Sequence, residues 1–299
     1  MTARTEPPLD ASLLVEHPLD ASHISGGLVL SHAAGWNQLD ADWRQFLSMG
    51  HGWGMSAGDE LVATTMVMPY GGPFDWVSVV LVARAWRRQG LARRLTLRAN
   101  EALDRRARTA ILDATPAGRH VYLQLGYVDC WPLERLTLAT RPASIVLPAA
   151  SNVKVRAMTS QDLPAVAVYD HPVFGADRSA LLAHLRTRLA GAALVAESEG
   201  AMRGFMLGRD GRLANFLGPI SAESPAIALA LLRQALHDVP MPWTIDLPAV
   251  QSEVRAALIA LGFTASRPFW RMARAPAGGV ARTFEDSPRL IASAGPEFG

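Results

Sequence analysis

An arginine-rich turn between a buried strand and a helix is the segment of the sequence best suited to chemistry. The apolar strand ends at Val82, and the helix opens at Gly90. Nine arginines between residues 84 and 108 face only Glu101 and Asp104. Cations at the start of a helix are unfavourable unless an anion offsets them, because the first N–H groups are unpaired and carry a partial positive charge. The segment therefore predicts a phosphate-binding site, with a solvated basic helix face as the alternative.

This turn resembles the acyl-CoA signature of the GNAT superfamily of N-acetyltransferases, Arg/Gln-x-x-Gly-x-Gly/Ala. The match is Arg87-x-x-Gly90-x-Ala92, which follows a strand rich in valine. A second similarity is Tyr122, which lies four residues before Gly126-Tyr127, as a tyrosine does in the family. The family's asparagine at the start of the fourth helix is replaced here by Thr115-Pro116, so one pantetheine contact has no counterpart.

The resemblance implies acetyl-CoA as the acyl donor and a role for each matched segment. Backbone groups of Val80, Leu81 and Val82 would hold the acetyl and pantetheine amides. Backbone N–H groups of the turn would wrap the pyrophosphate, and the residues assigned to cofactor binding there are Arg87, Arg88, Gln89, Gly90, Leu91, Ala92 and Arg93. Tyr122 would act as the general acid on the departing thiolate, and core packing at a helix–strand junction is its alternative role.

An acceptor amine must lose a proton during the reaction, since the pKa of a free amine lies above neutrality. Asp113, late in a strand beside the expected thioester, is a candidate base or amine-binding carboxylate, or else a cap for the next helix. Trp36 and Asn37 lie between the first two helices, where the family contacts its acceptor, although plain helix packing would equally explain Trp36. We expect a small-molecule amine or an amino-acid-like acceptor.

The elements that would position these groups occur twice in the sequence. Apolar periodicity predicts the same order of strands and helices before and after a Pro- and Ala-rich linker. Two echoes support a repeat: 112–116 resembles 245–248, and 125–127 resembles 261–263. We therefore predict an α/β (α+β) protein with two tandem GNAT-like domains, each a mixed, mostly antiparallel sheet flanked by helices. The expected division is a catalytic domain at 1–142, a degenerate domain at 150–275 and a tail at 276–299. The chain is expected to be loosely structured from Gly278 onward, although Leu290-Ile291 could dock.

The second copy departs from the first at the positions that matter for the cofactor. Its segment 218–225 contains no arginine and carries Glu223 where phosphate would sit. Leu258 stands at the position that matches Tyr122. Acyl-CoA binding by the second copy is therefore not expected.

Composition excludes several other classes of protein. Lys154 is the single lysine and follows a valine, so the chain has no P-loop. A net charge of +2 gives little support for nucleic-acid binding, and no apolar run reaches the roughly 18 residues that a membrane span needs. The chain has one cysteine, and its eight histidines do not show the paired spacing of metal ligands. We therefore expect neither a disulfide framework nor a metal site. We expect a cytoplasmic, bacterial-like protein that is a monomer or homodimer.

Two other activities are weaker interpretations of the same chain. Gly54-Met55-Ser56-Ala57-Gly58 matches the nucleophile elbow of serine hydrolases, but a strand rather than a helix is predicted after it. Ser56 is instead expected in a hairpin turn. A protein that binds acyl-CoA as a sensor without catalysis remains the main alternative to an acetyltransferase.

Overall fold

The structure is a computed structural model that describes residues 10, 13–148, 150, 152–282 and 288–299. The first half contains the strands β1 (Val15–Pro18), β2 (His51–Ala57), β3 (Glu60–Pro69), β4 (Phe74–Val82), β5 (Thr109–Ala114) and β6 (Val128–Leu138). Its helices are α1 (Ile24–Ala33), α2 (Asp40–Met49), α3 (Leu91–Asp104) and α4 (Pro116–Leu123). These agree with the expected order of elements.

The second half repeats this order, as the sequence echoes predict. Its strands are β7 (Lys154–Ala157), β8 (Leu194–Ser198), β9 (Ala201–Arg209), β10 (Asn215–Ala222), β11 (Trp243–Pro248), β12 (Thr264–Arg274) and β13 (Leu290–Ala292). Its helices are α5 (Leu163–Phe174), α6 (Ser179–Arg188), α7 (Pro225–Asp238) and α8 (Ser252–Ala260). None of the helices in the described ranges is long and apolar enough to cross a membrane.

The strands of the described residues join in one mixed sheet, and the two halves exchange a strand at its centre. The order is β1-β2-β3-β4-β5-β12-β6-β11-β10-β9-β8-β7, with β13 beside β10. Thus β12 of the second half lies between β5 and β6, while β6 of the first half lies between β12 and β11. Each half is therefore completed by an antiparallel strand from the other.

The sheet splits open between its two parallel neighbours in the first half. Strands β4 and β5 pair only at 74–76 with 109–111. Beyond this point β4 continues along β3, and β5 continues along β12. The edge of β4 that faces β5 is consequently without a strand partner from Val77 onward, and this V-shaped opening is where the site lies.

The second half has the same opening, but a strand of the chain fills it. Strands β10 and β11 pair only at 215–216 with 243–244, and β13 then pairs with β10 at Ile220 and Ser221. The side chains of β13 are fully buried. Residues 288–299 are thus packed into the fold. The docking of Leu290-Ile291 is confirmed, whereas the expectation of a loose tail is wrong for this part of it. Residues 283–287 lie outside the described residues.

Candidate active site

A cavity of about 600 Å³ passes through the opening between β4 and β5. On one face of the sheet it is lined by residues of the α3 and α4 side, including Tyr122. On the other face it is lined by the loop after α1, by the exchanged strands and by residues 296 and 297. We call this second face, which carries Asp113, Phe269 and Arg267, the acceptor face. Of the residues predicted to contact cofactor or acceptor, all but Gln89 line the cavity.

The arginine-rich turn presents a row of unused backbone donors at one end of the cavity. The six consecutive N–H groups from Arg88 to Arg93 donate to no acceptor in the described part of the chain. Trp86 is buried and anchors the turn against Leu91 and Leu95 of α3. Free N–H groups at the start of a helix form a preorganised site for phosphate oxygens.

Gly90 is the residue that shapes this turn. Its φ is +79°, in the left-handed region, and a Cβ added there would point into open space with no atom within 4 Å. Arg88 also has a positive φ of 63°, so the backbone curls back on itself before α3. The Arg87 side chain links the turn to β4, because its Nε donates a hydrogen bond to the Val82 carbonyl at 3.1 Å.

A β-bulge in β4 turns backbone groups toward the opening. Val79 has a φ of +52°, which is unusual for a β-branched residue. The register of β3 against β4 shifts at this point, and Thr64 Oγ1 donates to the Val79 carbonyl at 2.8 Å to hold the distorted strand. A bulge redirects the backbone of the residues around it. Val80 and Leu81 follow this bulge and line the cavity, as the assignment of the acyl and pantetheine contacts requires.

Tyr122 lies on α4 and contributes its ring to the cavity wall. It is 9% exposed, and its hydroxyl makes no hydrogen bond with the described residues. Gly118 allows this packing, since a Cβ at that position would approach Tyr122 Cε2 to 3.0 Å. Burial raises the pKa of the Tyr122 phenol, so the group stays protonated at neutral pH and can donate a hydrogen bond.

Asp113 is held by an arginine that the sequence did not single out. Arg271 of β12 donates from Nε and Nη2 to the two carboxylate oxygens at 2.7 and 2.8 Å, and both side chains are 1% exposed. Burial raises the pKa of Asp113, and the guanidinium only partly offsets this. The alternative role as a helix cap is wrong, because Thr115 caps α4 by accepting from Gly118 N–H at 3.2 Å.

Trp36 and Asn37 reach the cavity in different ways. Trp36 is half-buried, packs against the core cluster and lines the cavity, so its contact and packing roles coexist. The Asn37 side chain accepts from Leu213 N–H at 2.7 Å and Ala214 N–H at 3.1 Å and donates to the Ala214 carbonyl at 2.8 Å. Its amide therefore ties the first half to the loop after β9.

Three charged groups of the cavity wall were missed by sequence reasoning: Arg135, Arg267 and Glu297. Arg135 of β6 forms a bidentate ion pair with Asp246, with both contacts at 2.7 Å. Glu297 accepts from Gln38 Nε2 at 2.7 Å and from Arg209 Nη2 at 2.9 Å. The echo of Asp113 at Asp246 could have indicated the first pair, whereas no local pattern marks Glu297.

The corresponding turn of the second half has fewer free backbone donors. Ala222 N–H donates to the Arg289 carbonyl and Glu223 N–H to the Arg203 carbonyl, each at 3.0 Å. Pro225 has no N–H, and Ser224 Oγ accepts from Ile227 N–H at 3.4 Å. Together with β13 in the opening, these contacts leave that half without the features of the first site.

Ser56 lies at the end of β2, not in the turn where it was expected. Its Oγ is 2.8 Å from Nε2 of His17, but neither residue lines the cavity. In the described part of the chain, no group of three or more His, Cys, Asp or Glu side chains is placed to hold a metal ion.

Comparison with known proteins agrees with this fold. A family model described as an acetyltransferase (GNAT) domain matches residues 36–135, and a second model with the same description matches residues 166–279. Together the matches span more than half of the chain. The chain belongs to the GNAT acetyltransferase superfamily and carries two such domains in tandem.

Individual relatives are distant. The chain is 24% identical over 248 residues to the uncharacterized N-acetyltransferase YitH of Bacillus subtilis strain 168, covering 82% of this chain and 86% of the relative. A putative acetyltransferase from Pyrococcus horikoshii superposes over 100% of both chains with a TM-score of 0.75 and 19% identity. A tandem GNAT protein from the clavulanic acid biosynthesis pathway superposes with a TM-score of 0.65 and 15% identity, covering 88% of this chain and 98% of that one. These structures support the tandem fold.

Proposed function

We propose that the first half transfers an acetyl group from acetyl-CoA to a primary amine, and that the amine belongs to a small molecule. The observation that carries this proposal is the row of free N–H groups from Arg88 to Arg93 at one end of a cavity that continues through the sheet. Such a row suits a pyrophosphate, and the opening beyond it suits the extended pantetheine arm. The family membership independently supports acyl transfer.

The reaction follows from the groups around the opening. The amine nitrogen attacks the thioester carbonyl from the acceptor face, a C–N bond forms and the C–S bond breaks. The attacking nitrogen loses a proton, and the leaving thiolate finally gains one. The bulged backbone near Val80 is placed to orient the acetyl group, and positioning of this kind supplies a large part of the rate.

Two side chains are proposed to manage the protons. Tyr122 donates a hydrogen bond to the sulfur as negative charge develops there. Asp113 orients the amine and accepts its proton through the lone pairs that Arg271 leaves open. Its raised pKa makes it a better base than an ordinary aspartate, since a base works best when its pKa approaches the working pH.

The acceptor face supports a polar, compact acceptor. Ser78 is 4% exposed and lines the cavity, and its buried hydroxyl has no hydrogen-bond partner among the described residues. Trp36 and Phe269 supply apolar surface beside it. A buried hydroxyl without a partner is costly, and an acceptor with a matching polar group would satisfy it.

The deciding experiment is release of free thiol from acetyl-CoA in the presence of a library of amines. We expect at least one amine to give turnover with wild type and none with Gly90→Glu, whose turn cannot admit a phosphate. Mass spectrometry of the amine must show a gain of one acetyl group. Thiol release that is independent of every amine would contradict transfer to an amine.

One observation favours the alternative of a sensor without catalysis. Both oxygens of Asp113 already accept hydrogen bonds from Arg271, as both oxygens of Glu297 do from their partners. A sensor would bind acetyl-CoA with the same dependence on Gly90 but acetylate no amine. The amine library therefore separates the two functions.

A further inference from the structure

Arg267 is a cation of the cavity wall whose charge no described residue neutralises by direct contact. It lies on β12, is half-buried and lines the cavity. It makes no hydrogen bond or ion pair with any residue that the structure describes. The other charged groups of the acceptor face are paired: Asp113 with Arg271, Arg135 with Asp246, and Glu297 with Arg209.

The alternation of side chains along β12 places Arg267 on the acceptor face. Arg271 lies four residues further along β12 and forms the ion pair with Asp113. Its guanidinium carbon lies 4.6 Å from the centre of the Trp76 ring. Trp270 points to the opposite face, where Arg119 of α4 lies 5.2 Å from its ring centre. Since successive side chains alternate between the faces of a sheet, Arg267 shares the face of Arg271 and is separated from α4 by the sheet.

The position of Arg267 is electrostatically unfavourable without an anion. Its Cα is paired across the strands with that of Arg135. Burial and the neighbouring Arg135 lower the pKa of Arg267, and the nearby carboxylate of Asp246 only partly offsets this. Like charges directly opposite each other destabilise a sheet, and a partly buried charge without a partner is costly. A bound anion would remove both penalties.

We propose that Arg267 binds an anionic group of the acceptor, so that the substrates are amines that also carry a carboxylate or a phosphate. This inference rests on the proposed acetyl transfer and names the substrate class of the same cavity. Arg267 and Arg271 are four residues apart on a regular stretch of β12, or about 13 Å along the strand. Because Asp113 is level with Arg271, an acceptor with several bonds between its amine and its anion fits this spacing better than glycine does.

The test uses pairs of acceptors that differ only in the anion. α-Amino acids and ω-amino acids are compared with their carboxamides, and amino-alkyl phosphates with the parent amino alcohols. Thiol release gives KM and kcat for each acceptor. Calorimetry with the N-acetylated compounds and CoA gives their affinity without any need for turnover. The two anionic arms distinguish a carboxylate from a phosphate.

The variants are Arg267→Gln, Arg267→Lys and a control, Arg233→Gln. Arg233 is exposed on α7 and lies outside the cavity, so its replacement removes the same charge from the protein. For an anionic acceptor we expect Arg267→Gln to raise KM at least about tenfold with little change in kcat, as loss of a charge-assisted hydrogen bond does. The lysine variant should recover part of the loss, whereas the neutral acceptors and Arg233→Gln should show wild-type KM.

Each outcome decides between the two proposals. Turnover with neutral amines as good as with anionic ones, or an equal loss in Arg233→Gln, overturns the anion site and leaves acetyl transfer intact. Binding of anionic acetylated compounds that Arg267→Gln abolishes, with no thiol release from any amine, supports the anion site and overturns the catalytic proposal. If no acceptor of either kind binds or reacts, both proposals fall.

Discussion

Arg271 and Asp113 are 158 residues apart in the chain but lie directly across from each other in the sheet, joined by two hydrogen bonds of 2.7 and 2.8 Å. The same relationship is repeated in reverse by Arg135 and Asp246. The strand exchange thus brings an arginine from each half to an aspartate of the other. One of these pairs touches the proposed reaction centre, so the integrity of the site depends on both halves.

Replacing Arg271 by glutamine should destabilise the protein by about 3–5 kcal/mol, because it leaves the buried Asp113 without its counter-charge. Denaturant unfolding monitored by tryptophan fluorescence gives the free energy. The control is Arg255→Gln, which breaks the exposed pair of Arg255 with Glu134 and should change the stability far less, because solvent screens this pair. Equal losses in the two variants would show that the Arg271 pair does not contribute as a buried ion pair.

The pH dependence of turnover should reveal Asp113. A base must be ionised, and burial raises the pKa of this carboxyl above its usual value of 3.8. Activity, measured as kcat/KM, is therefore expected to rise with pH through a value above 3.8 in wild type. Asp113→Asn should lower kcat/KM and remove this acidic limb. An unchanged limb in the asparagine variant would assign the base elsewhere.

Removing the Tyr122 hydroxyl should affect catalysis and not cofactor binding. We expect Tyr122→Phe to lower kcat about 100-fold, within the usual range for general acid–base groups, with the Kd for acetyl-CoA nearly unchanged. Calorimetry and thiol release measure the two quantities.

The control for Tyr122 is its neighbour Tyr127, whose buried hydroxyl donates to Asn100 Oδ1 at 2.8 Å. Tyr127→Phe should lose about 1 kcal/mol of stability and keep its turnover. The reverse pattern, with Tyr122→Phe less stable but fully active, would make Tyr122 a packing residue.

A carboxylate at position 90 should eliminate acetyl-CoA binding. Gly90→Glu adds bulk and negative charge where the free N–H groups meet the phosphate, and we expect the affinity to fall by at least about 100-fold. Gly58→Glu is the matched control, since Gly58 has a φ of +59° and equally open surroundings in the β2–β3 turn. Titration should give one site per chain in wild type and in Gly58→Glu. A second site that survives in Gly90→Glu would contradict the expectation that only the first half binds the cofactor.

Asn37 should prove to be a structural link between the two halves of the chain. Asn37→Ala removes three hydrogen bonds to residues 213 and 214 and is expected to cost about 1–3 kcal/mol of stability. Once a reactive amine has been identified, the KM for that amine should change less in Asn37→Ala than in Trp36→Ala. A large rise in KM with no loss of stability would instead restore Asn37 as an acceptor contact.

Local patterns in the sequence were sufficient to predict the elements of both halves except β13, and to predict the turn before α3. The periodic Leu91, Leu95 and Leu103 predict α3, and each is buried against the sheet. Gly90 marks the left-handed residue at the start of that helix, because a glycine there adopts the required φ without strain. The assigned roles of Tyr122, Asp113 and the turn residues remain predictions, as does the division of the chain at 142 and 150.

The acceptor face could not be predicted in the same way. Arg135, Arg267 and Glu297 come from segments distant in the sequence, and only the strand exchange and the packing of residues 288–299 bring them together. A strand order in which β6 lay directly beside β5 would satisfy the same alternation of apolar residues. The choice between the two arrangements is made by long-range pairing, which leaves no local signal.

The exchange of β6 and β12 makes each half of the chain dependent on the other. The opening of the second half is closed by β13, so the second half is needed by the first through the strand that it contributes. Deletion of the second half would remove Arg271 from Asp113 and Arg267 from the cavity, and it would leave the edge of β5 without a strand partner. Neither half can therefore be deleted, or moved alone into another gene, without breaking the sheet at its centre.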